Sequence, residues 1–170
     1  MIPVIRTARL VLRGFEERDL DPYAAMQADA EVMRFISPSG PRDRAVTWRD
    51  MAQAIGHWRL RGHGLWVLEE AEGGAFLGRV GIIRPEGWPE IELAYSLARP
   101  AWGRGFATEA GRAALDWAFG ALGVARVASF IAAGNLASQA VARRLGAAPE
   151  GEAVLLGSAP VQWWVHRRPG

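Results

Sequence analysis

The chain has 170 residues, of which 50% are hydrophobic and 22% are charged, so one globular domain with a substantial core is expected. It has no cysteine, which excludes disulfides, thiolate metal sites and a cysteine nucleophile, and no lysine, which excludes a lysine base or Schiff-base former. The net charge is only +2 and the arginines are scattered among acidic residues, which argues against a nucleic-acid partner.

Membrane and export signals are missing from the sequence. No apolar run approaches the roughly 18 residues of a membrane helix, and the N-terminus lacks the charged-then-apolar pattern of a signal peptide. We therefore expect a cytoplasmic protein with no membrane partner, built as a single domain over residues 1–170.

The first half of the chain alternates between strand and helix signals. The segment 19–22 offers a helix cap followed by a proline suited to a first helical turn, and Asp43 is a predicted cap of a longer helix. A glycine pair at 73–74 between two apolar segments predicts a hairpin. The predicted elements are a strand at 8–15, helices near 20–26 and 31–35, a loop at 37–41, a helix from 43 to near 62, and strands at 64–70 and 75–83.

The second half carries the clearest amphipathic helix, at 106–119. Strands are predicted at 91–97 and 124–132, a helix at 135–145, and closing strands at 152–156 and 161–167. This order indicates an α+β fold with a mostly antiparallel central sheet and helices on both faces. The segment 91–132 should be a right-handed crossover that joins one parallel strand pair.

A glycine-rich turn, 102–105, follows the strand at 91–97 and opens the helix at 106–119. Gly103 and Gly105 let the backbone curl, and the free N–H groups of a first helical turn favour an anion such as a pyrophosphate. A simple tight turn explains the spacing equally well. A P-loop is excluded because there is no lysine, and a dinucleotide fingerprint fails because Thr108 replaces its third small residue and no acid lies near 123–128.

A second constellation, Asn135 with Ser138, follows the next strand and opens the next helix. Asn135 is the single asparagine of the chain, and a plain N-cap role explains it without any ligand. Both helix N-termini are expected to face one cleft at the carboxyl ends of the parallel strands, which makes a binding role a competing interpretation.

Taken together, five segments in this order resemble the GNAT-superfamily N-acetyltransferases, in particular the RimJ/RimL-like branch. The matching segments are 7–13, 76–81, 92–97, 102–110 and 135–146. The resemblance implies a GNAT-like fold with acetyl-CoA as cosubstrate and no metal. The coenzyme A-binding residues it implies are Tyr95, Ser96, Leu97, Gly103, Arg104, Gly105, Phe106, Ala107, Thr108, Asn135 and Ser138.

The resemblance also implies direct transfer, in which a neutral amine attacks the thioester and a strand N–H meets the oxyanion. We expect Glu92 to be the general base, with Glu152 a weaker candidate. The competing interpretation is that Glu92 faces solvent, like Glu90 two positions earlier on the same face of the strand. Ser138 or Tyr95 is expected to protonate the leaving thiolate. The histidines, His57, His63 and His166, are expected to be surface or packing residues.

The acceptor is less well specified by the sequence. Trp88, Trp163 and Trp164 either line an acceptor pocket or pack in the core or a dimer interface. The amine could be a peptide N-terminus or a small molecule, and the protein a monomer or homodimer. Two alternatives remain: a coenzyme A-binding regulatory module without catalysis, and a nucleotide-binding protein of another fold.

Overall fold

The computed structural model describes residues 1–155 and 159–170, whose strands form one sheet. The strands are β1 (Ile5–Arg6), β2 (Leu10–Arg13), β3 (Leu65–Glu70), β4 (Phe76–Ile83), β5 (Glu92–Leu97), β6 (Arg126–Ile131), β7 (Ala148–Ala153) and β8 (Val161–Arg167). Within the described residues, the order is β1-β2-β3-β4-β5-β6-β8-β7. All neighbours pair antiparallel except β5 and β6, which are parallel.

The helices lie on both faces of this sheet. They are α1 (Leu20–Gln27), α2 (Ala30–Met33), α3 (Arg44–Arg61), α4 (Phe106–Gly120) and α5 (Leu136–Arg144). Side chains alternate along each strand, so Leu93 and Leu97 of β5 join the core beneath α4, whereas Ala94 packs on the opposite face with residues of α1 and α3. The predicted α+β class, with one parallel pair and helices on both faces, is confirmed.

The pairing between β5 and β6 is short, and it positions the candidate site. In the described residues, β5 and β6 pair at a single register position, Glu92 opposite Ala128, where the Ala128 N–H donates to the Ile91 carbonyl at 2.8 Å. Beyond it, β5 stays paired with β4 and β6 with β8. We call the opening between residues 93–97 of β5 and 129–131 of β6 the wedge.

The helix caps were predicted with mixed success. Asp43 caps α3 as expected, since its carboxylate accepts from the Val46 N–H at 2.8 Å. Asp19 precedes α1 but makes no cap bond to it; its carboxylate instead binds the Arg13 guanidinium and the Glu16 N–H. The segment 19–22 thus supplies the N-cap residue of α1, Asp19, but no side-chain cap bond, since a buried ion pair engages its carboxylate.

The two edge strands were also predicted imperfectly. β1 was missed, because it has two residues and is defined by pairing with β2 rather than by a local pattern. β7 begins at Ala148, four residues before the predicted start. The predicted end of this strand, Leu156, lies outside the described residues. None of the described helices is both long and apolar enough to cross a bilayer.

Candidate active site

The glycine-rich turn is open at its surface. Gly103 and Gly105 have φ values of 73° and 81°, which favour glycine, and a Cβ built at Gly103 would meet no atom within 4 Å. α4 begins at the next residue, Phe106, so its unpaired first-turn N–H groups lie beside this free surface. The turn can therefore accept an anion against its main chain.

Two arginines flank the turn. The guanidinium carbons of Arg9 and Arg104 lie 4.7 and 4.4 Å from the centroid of the buried Phe106 ring. Arg104 also pairs with Glu70 at 2.6 Å, while Arg9 donates to the Arg104 carbonyl at 2.9 Å. Arg104 was predicted as a binding residue; the structure places its side chain at the rim, partly neutralised by Glu70, and adds Arg9 beside it.

Trp102 anchors the turn to the sheet. Its indole N–H donates to the Leu97 carbonyl, at the end of β5, at 2.8 Å, although the side chain is 46% exposed. This bond ties the first residue of the turn to the strand that lines the wedge. The turn and the wedge are therefore adjacent.

The predicted pair Asn135 and Ser138 meets Tyr95 across the wedge. The Asn135 side chain accepts from the Ser138 N–H at 3.1 Å, so its N-cap role is real and leaves the amide nitrogen available. The Tyr95 hydroxyl lies 2.8 Å from Ser138 Oγ and donates to the Ser138 carbonyl at 3.1 Å. Burial raises the pKa of Tyr95 to about 12, which keeps the phenol protonated at neutral pH.

Backbone groups of β5 also face the wedge. The Leu93 carbonyl accepts from Ser129 Oγ of β6 at 3.1 Å, and the Leu97 carbonyl accepts from Trp102. Both point away from β4, and the alternation of strand hydrogen bonds directs the N–H and C=O of Tyr95 the same way. The backbone N–H of Tyr95 is thus available in the wedge, at the same position along β5 as the Tyr95–Ser138 hydroxyl pair.

Glu92 lies at the closed end of the wedge and is 9% exposed. Burial raises the pKa of its carboxyl to about 7, opposed by hydrogen bonds from the Trp88 indole N–H, at 2.6 Å, and the Phe130 N–H, and by the charge of Arg79. The competing interpretation, a solvent-facing residue like Glu90, does not hold. Glu90 precedes the strand and pairs with Arg126.

The remaining candidates are Glu152 and the three histidines. Glu152 is exposed on β7. His57 and His63 contact backbone carbonyls of His63 and Ile82 through Nδ1, at 2.6 and 2.8 Å. His166 is 1% exposed, and burial lowers its pKa to about 4. These positions fit the predicted packing roles. His166 alone of the three histidines contacts a wedge residue, since its Nε2 lies 3.1 Å from Ser129 Oγ.

The three candidate tryptophans have different surroundings. Trp164 is 2% exposed and belongs to the core, whereas Trp163 packs against Phe130 with ring centroids 5.4 Å apart. Trp88 covers Glu92. No sequence signal marked the Trp88–Glu92 contact, because Trp88 belongs to a loop that local patterns do not place. Across the residues described, no group of three or more His, Asp or Glu side chains could hold a metal ion.

A family model described as an acetyltransferase (GNAT) domain matches residues 9–148. The chain is 34% identical over 145 residues to "Uncharacterized protein YkkB" of Bacillus subtilis (strain 168), with 82% of each chain covered. Among solved structures, an acetyltransferase from Agrobacterium tumefaciens str. C58 superposes with a TM-score of 0.89 and 30% identity, covering 99% of this chain and 96% of that one.

A more distant structure shares the fold. The ribosomal L7/L12 alpha-N-protein acetyltransferase RimL, solved with coenzyme A, has a TM-score of 0.81 and 18% identity, and the match covers 97% of this chain and 98% of that chain. At this identity the likeness concerns architecture. The resemblance to the RimL-like branch is therefore supported at the level of the fold.

Proposed function

Since the chain belongs to the GNAT acetyltransferase family, we propose that it transfers the acetyl group of acetyl-CoA directly to an amine within a ternary complex. The observation that carries this proposal is the position of Glu92. A buried carboxyl with a pKa of about 7 lies where two parallel strands separate, below a glycine turn that can hold an anion.

Acetyl-CoA would bind along the turn and the wedge. The pyrophosphate would accept from main-chain N–H groups at 103–107, with Arg9 and Arg104 at the rim. The pantetheine arm would enter the wedge, where the Tyr95 backbone and the Asn135 amide nitrogen supply polar partners. The thioester would then lie near the Tyr95–Ser138 hydroxyl pair.

The reaction follows from these positions. The amine nitrogen bonds to the acetyl carbon, and the carbonyl oxygen gains negative charge, which the strand N–H at Tyr95 stabilises. Glu92 accepts a proton from the amine, directly or through a water. The carbon–sulfur bond then breaks, and Tyr95 or Ser138 supplies a proton to the sulfur, so that the products are an amide and the coenzyme A thiol.

The test is an acceptor screen that measures released thiol and identifies the acetylated product by mass spectrometry. Peptides with varied N-termini and small amines should both be included. We expect thiol release that depends on an amine. Tight acetyl-CoA binding without transfer to any amine would favour a regulatory module of the same fold, and binding of ATP or NAD in competition with coenzyme A would favour nucleotide recognition.

Replacing Gly103 by Ala is expected to weaken acetyl-CoA binding about tenfold or more, because the residue must hold φ near 73° and the methyl group would occupy the open surface of the turn. Isothermal titration calorimetry would measure the dissociation constant. Gly123, after α4, has the same φ and an equally open Cβ position, so Gly123→Ala is the matched control. Equal loss of affinity in both variants would show that strain alone, and not contact with the cosubstrate, explains the effect.

Replacing Tyr95 by Phe is expected to lower kcat about tenfold, the value of one hydrogen bond of ~1.4 kcal/mol. Ser138→Ala should have a similar effect, and the double variant should lose little more, because the two hydroxyls act as one unit. Steady-state kinetics would measure all three. If the kcat loss in the double variant equals the product of the two single losses, the two hydroxyls act independently.

A further inference from the structure

Among the described residues, one half-buried arginine without an acidic partner lies on the face of the sheet away from α4. Four arginines in the described residues are not exposed: Arg13, Arg42, Arg79 and Arg126. Arg13, Arg42 and Arg126 each pair with a carboxylate of this chain. Arg79 has no such partner among the described residues, although desolvating a charge without a counter-ion is costly.

Arg79 is held in place by neutral groups. It lies on β4 opposite Ser96, and its Nε donates to Ser96 Oγ at 3.0 Å. Its guanidinium carbon lies 5.9 Å from the centroid of the Tyr23 ring of α1. The bond through Nε leaves the terminal N–H groups free, and their planar geometry matches the two oxygens of a carboxylate.

Arg79 of β4 and Glu92 of β5 lie on the same face of the sheet. Glu92, Ala94 and Ser96 share a face of β5, and the charge of Arg79 acts on the Glu92 carboxyl. Four residues of strand span about 13 Å between α-carbons, and the two long side chains shorten this separation. An amine delivered to Glu92 would thus have Arg79 several atoms away.

We propose that the acceptor is an amine that also carries a carboxylate several bonds from its nitrogen, and that Arg79 binds this carboxylate. The proposal rests on the proposed function, because it takes Glu92 as the end at which the amine reacts. The pyrophosphate of acetyl-CoA does not account for Arg79, since the glycine turn opens α4 on the opposite face of the sheet. Both a small amino acid and a peptide with an acidic residue near its N-terminus have this chemistry.

The experiment compares acceptors that differ only in the charge. One arm uses γ-aminobutyrate against its carboxamide, and the other uses alanyl-glutamyl amide against alanyl-glutaminyl amide. We expect wild-type protein to prefer the carboxylate member of at least one pair by about 10- to 100-fold in kcat/KM, the range of a charge-assisted hydrogen bond. The arm that shows the preference identifies the source of the carboxylate.

Arg79→Gln should abolish that preference mainly through KM. Because the change also removes a charge that lowers the pKa of Glu92, the two acceptors of each pair are compared with each other within the variant. Arg79→Lys should restore part of it, which guards against a folding defect as the explanation. The control is Arg168→Gln, which changes an exposed arginine near the C-terminus. Its preference should equal that of the wild type.

Two results would overturn the inference. One is wild-type protein that does not distinguish either pair; the other is an Arg79→Gln variant with weakened coenzyme A binding and unchanged acceptor preference. Calorimetric titration of each pair onto the coenzyme A complex needs no turnover, so it decides the question even if no acceptor is acetylated. Failure of every amine to react would count against the proposed function instead.

Discussion

The Glu92→Gln variant is expected to lose about 10²- to 10⁴-fold in kcat, the usual contribution of a general base. Gln keeps the size of the side chain and can still accept from the Trp88 indole N–H, but it cannot take a proton. Because substrate binding does not need the charge, KM for acetyl-CoA should stay close to the wild-type value. Initial rates at saturating substrates would measure the effect.

The pH profile is the second signature of this role. With a pKa of about 7, Glu92 is protonated below neutrality, so the wild-type rate should rise with pH through this region. In Glu92→Gln that step should vanish, and the remaining dependence should follow the acceptor amine. Glu90→Gln, two residues earlier, is the control and should keep the wild-type profile, since Glu90 pairs with Arg126 outside the wedge. A Glu92→Gln variant with normal turnover would remove the base assignment.

The same pKa shift makes a prediction for stability. A carboxyl whose pKa is higher in the folded than in the unfolded state binds more protons when folded, so stability falls as pH rises from about 4.5 to about 7. Glu92→Gln should remove this fall and therefore gain stability relative to the wild type at pH 8. Denaturant unfolding at pH 5 and pH 8 would measure both proteins.

The Arg13→Met variant is expected to lose about 3–5 kcal/mol of unfolding free energy, because it leaves a buried carboxylate without a counter-ion. Arg13 donates to both oxygens of Asp19 at 2.8 Å and to Glu69 at 2.9 Å. The Asp19 side chain is only 3% exposed, and the hydrogen bonds to Asp19 raise the pKa of Arg13. This pair ties β2 to the start of α1.

Urea unfolding with a matched surface variant would test the pair. Arg18→Met breaks the exposed bridge to Glu16 and a longer contact with Glu69 at 3.5 Å, and should change stability by no more than ~1 kcal/mol. Adding Asp19→Asn to Arg13→Met should recover part of the loss, since the orphaned charge is then removed. A loss for Arg13→Met no larger than that for Arg18→Met would contradict the buried pair.

Much of the site follows from local sequence signals. The strand, glycine turn and helix around Gly103 were predicted close to their observed bounds, because β-strand alternation, a glycine turn and a 3.6-residue apolar period are all local patterns. The N-cap at Asn135 was predicted for the same reason. The parallel pairing of β5 with β6 was predicted from the strand–helix–strand order of 91–132.

The electrostatic environment of the site did not follow from the sequence. The comparison of Glu92 with Glu90 assumed that both lie on one strand, whereas β5 begins at Glu92 and the Trp88 loop folds over it. The position of Arg9 beside the turn depends on a contact with Glu109 across 100 residues. Only the structure shows that Arg79 lacks an acidic partner among the described residues, in which the other half-buried arginines each pair with a carboxylate.

Direct transfer is tested most directly by mixing the protein with acetyl-CoA, with and without amine, and following both released thiol and the intact mass of the chain. Direct transfer predicts an unmodified chain and no thiol burst with acetyl-CoA alone, and thiol release in step with acetylated amine once the acceptor is added. A stoichiometric thiol burst together with an acetylated chain that then passes its acetyl group to the amine would contradict it.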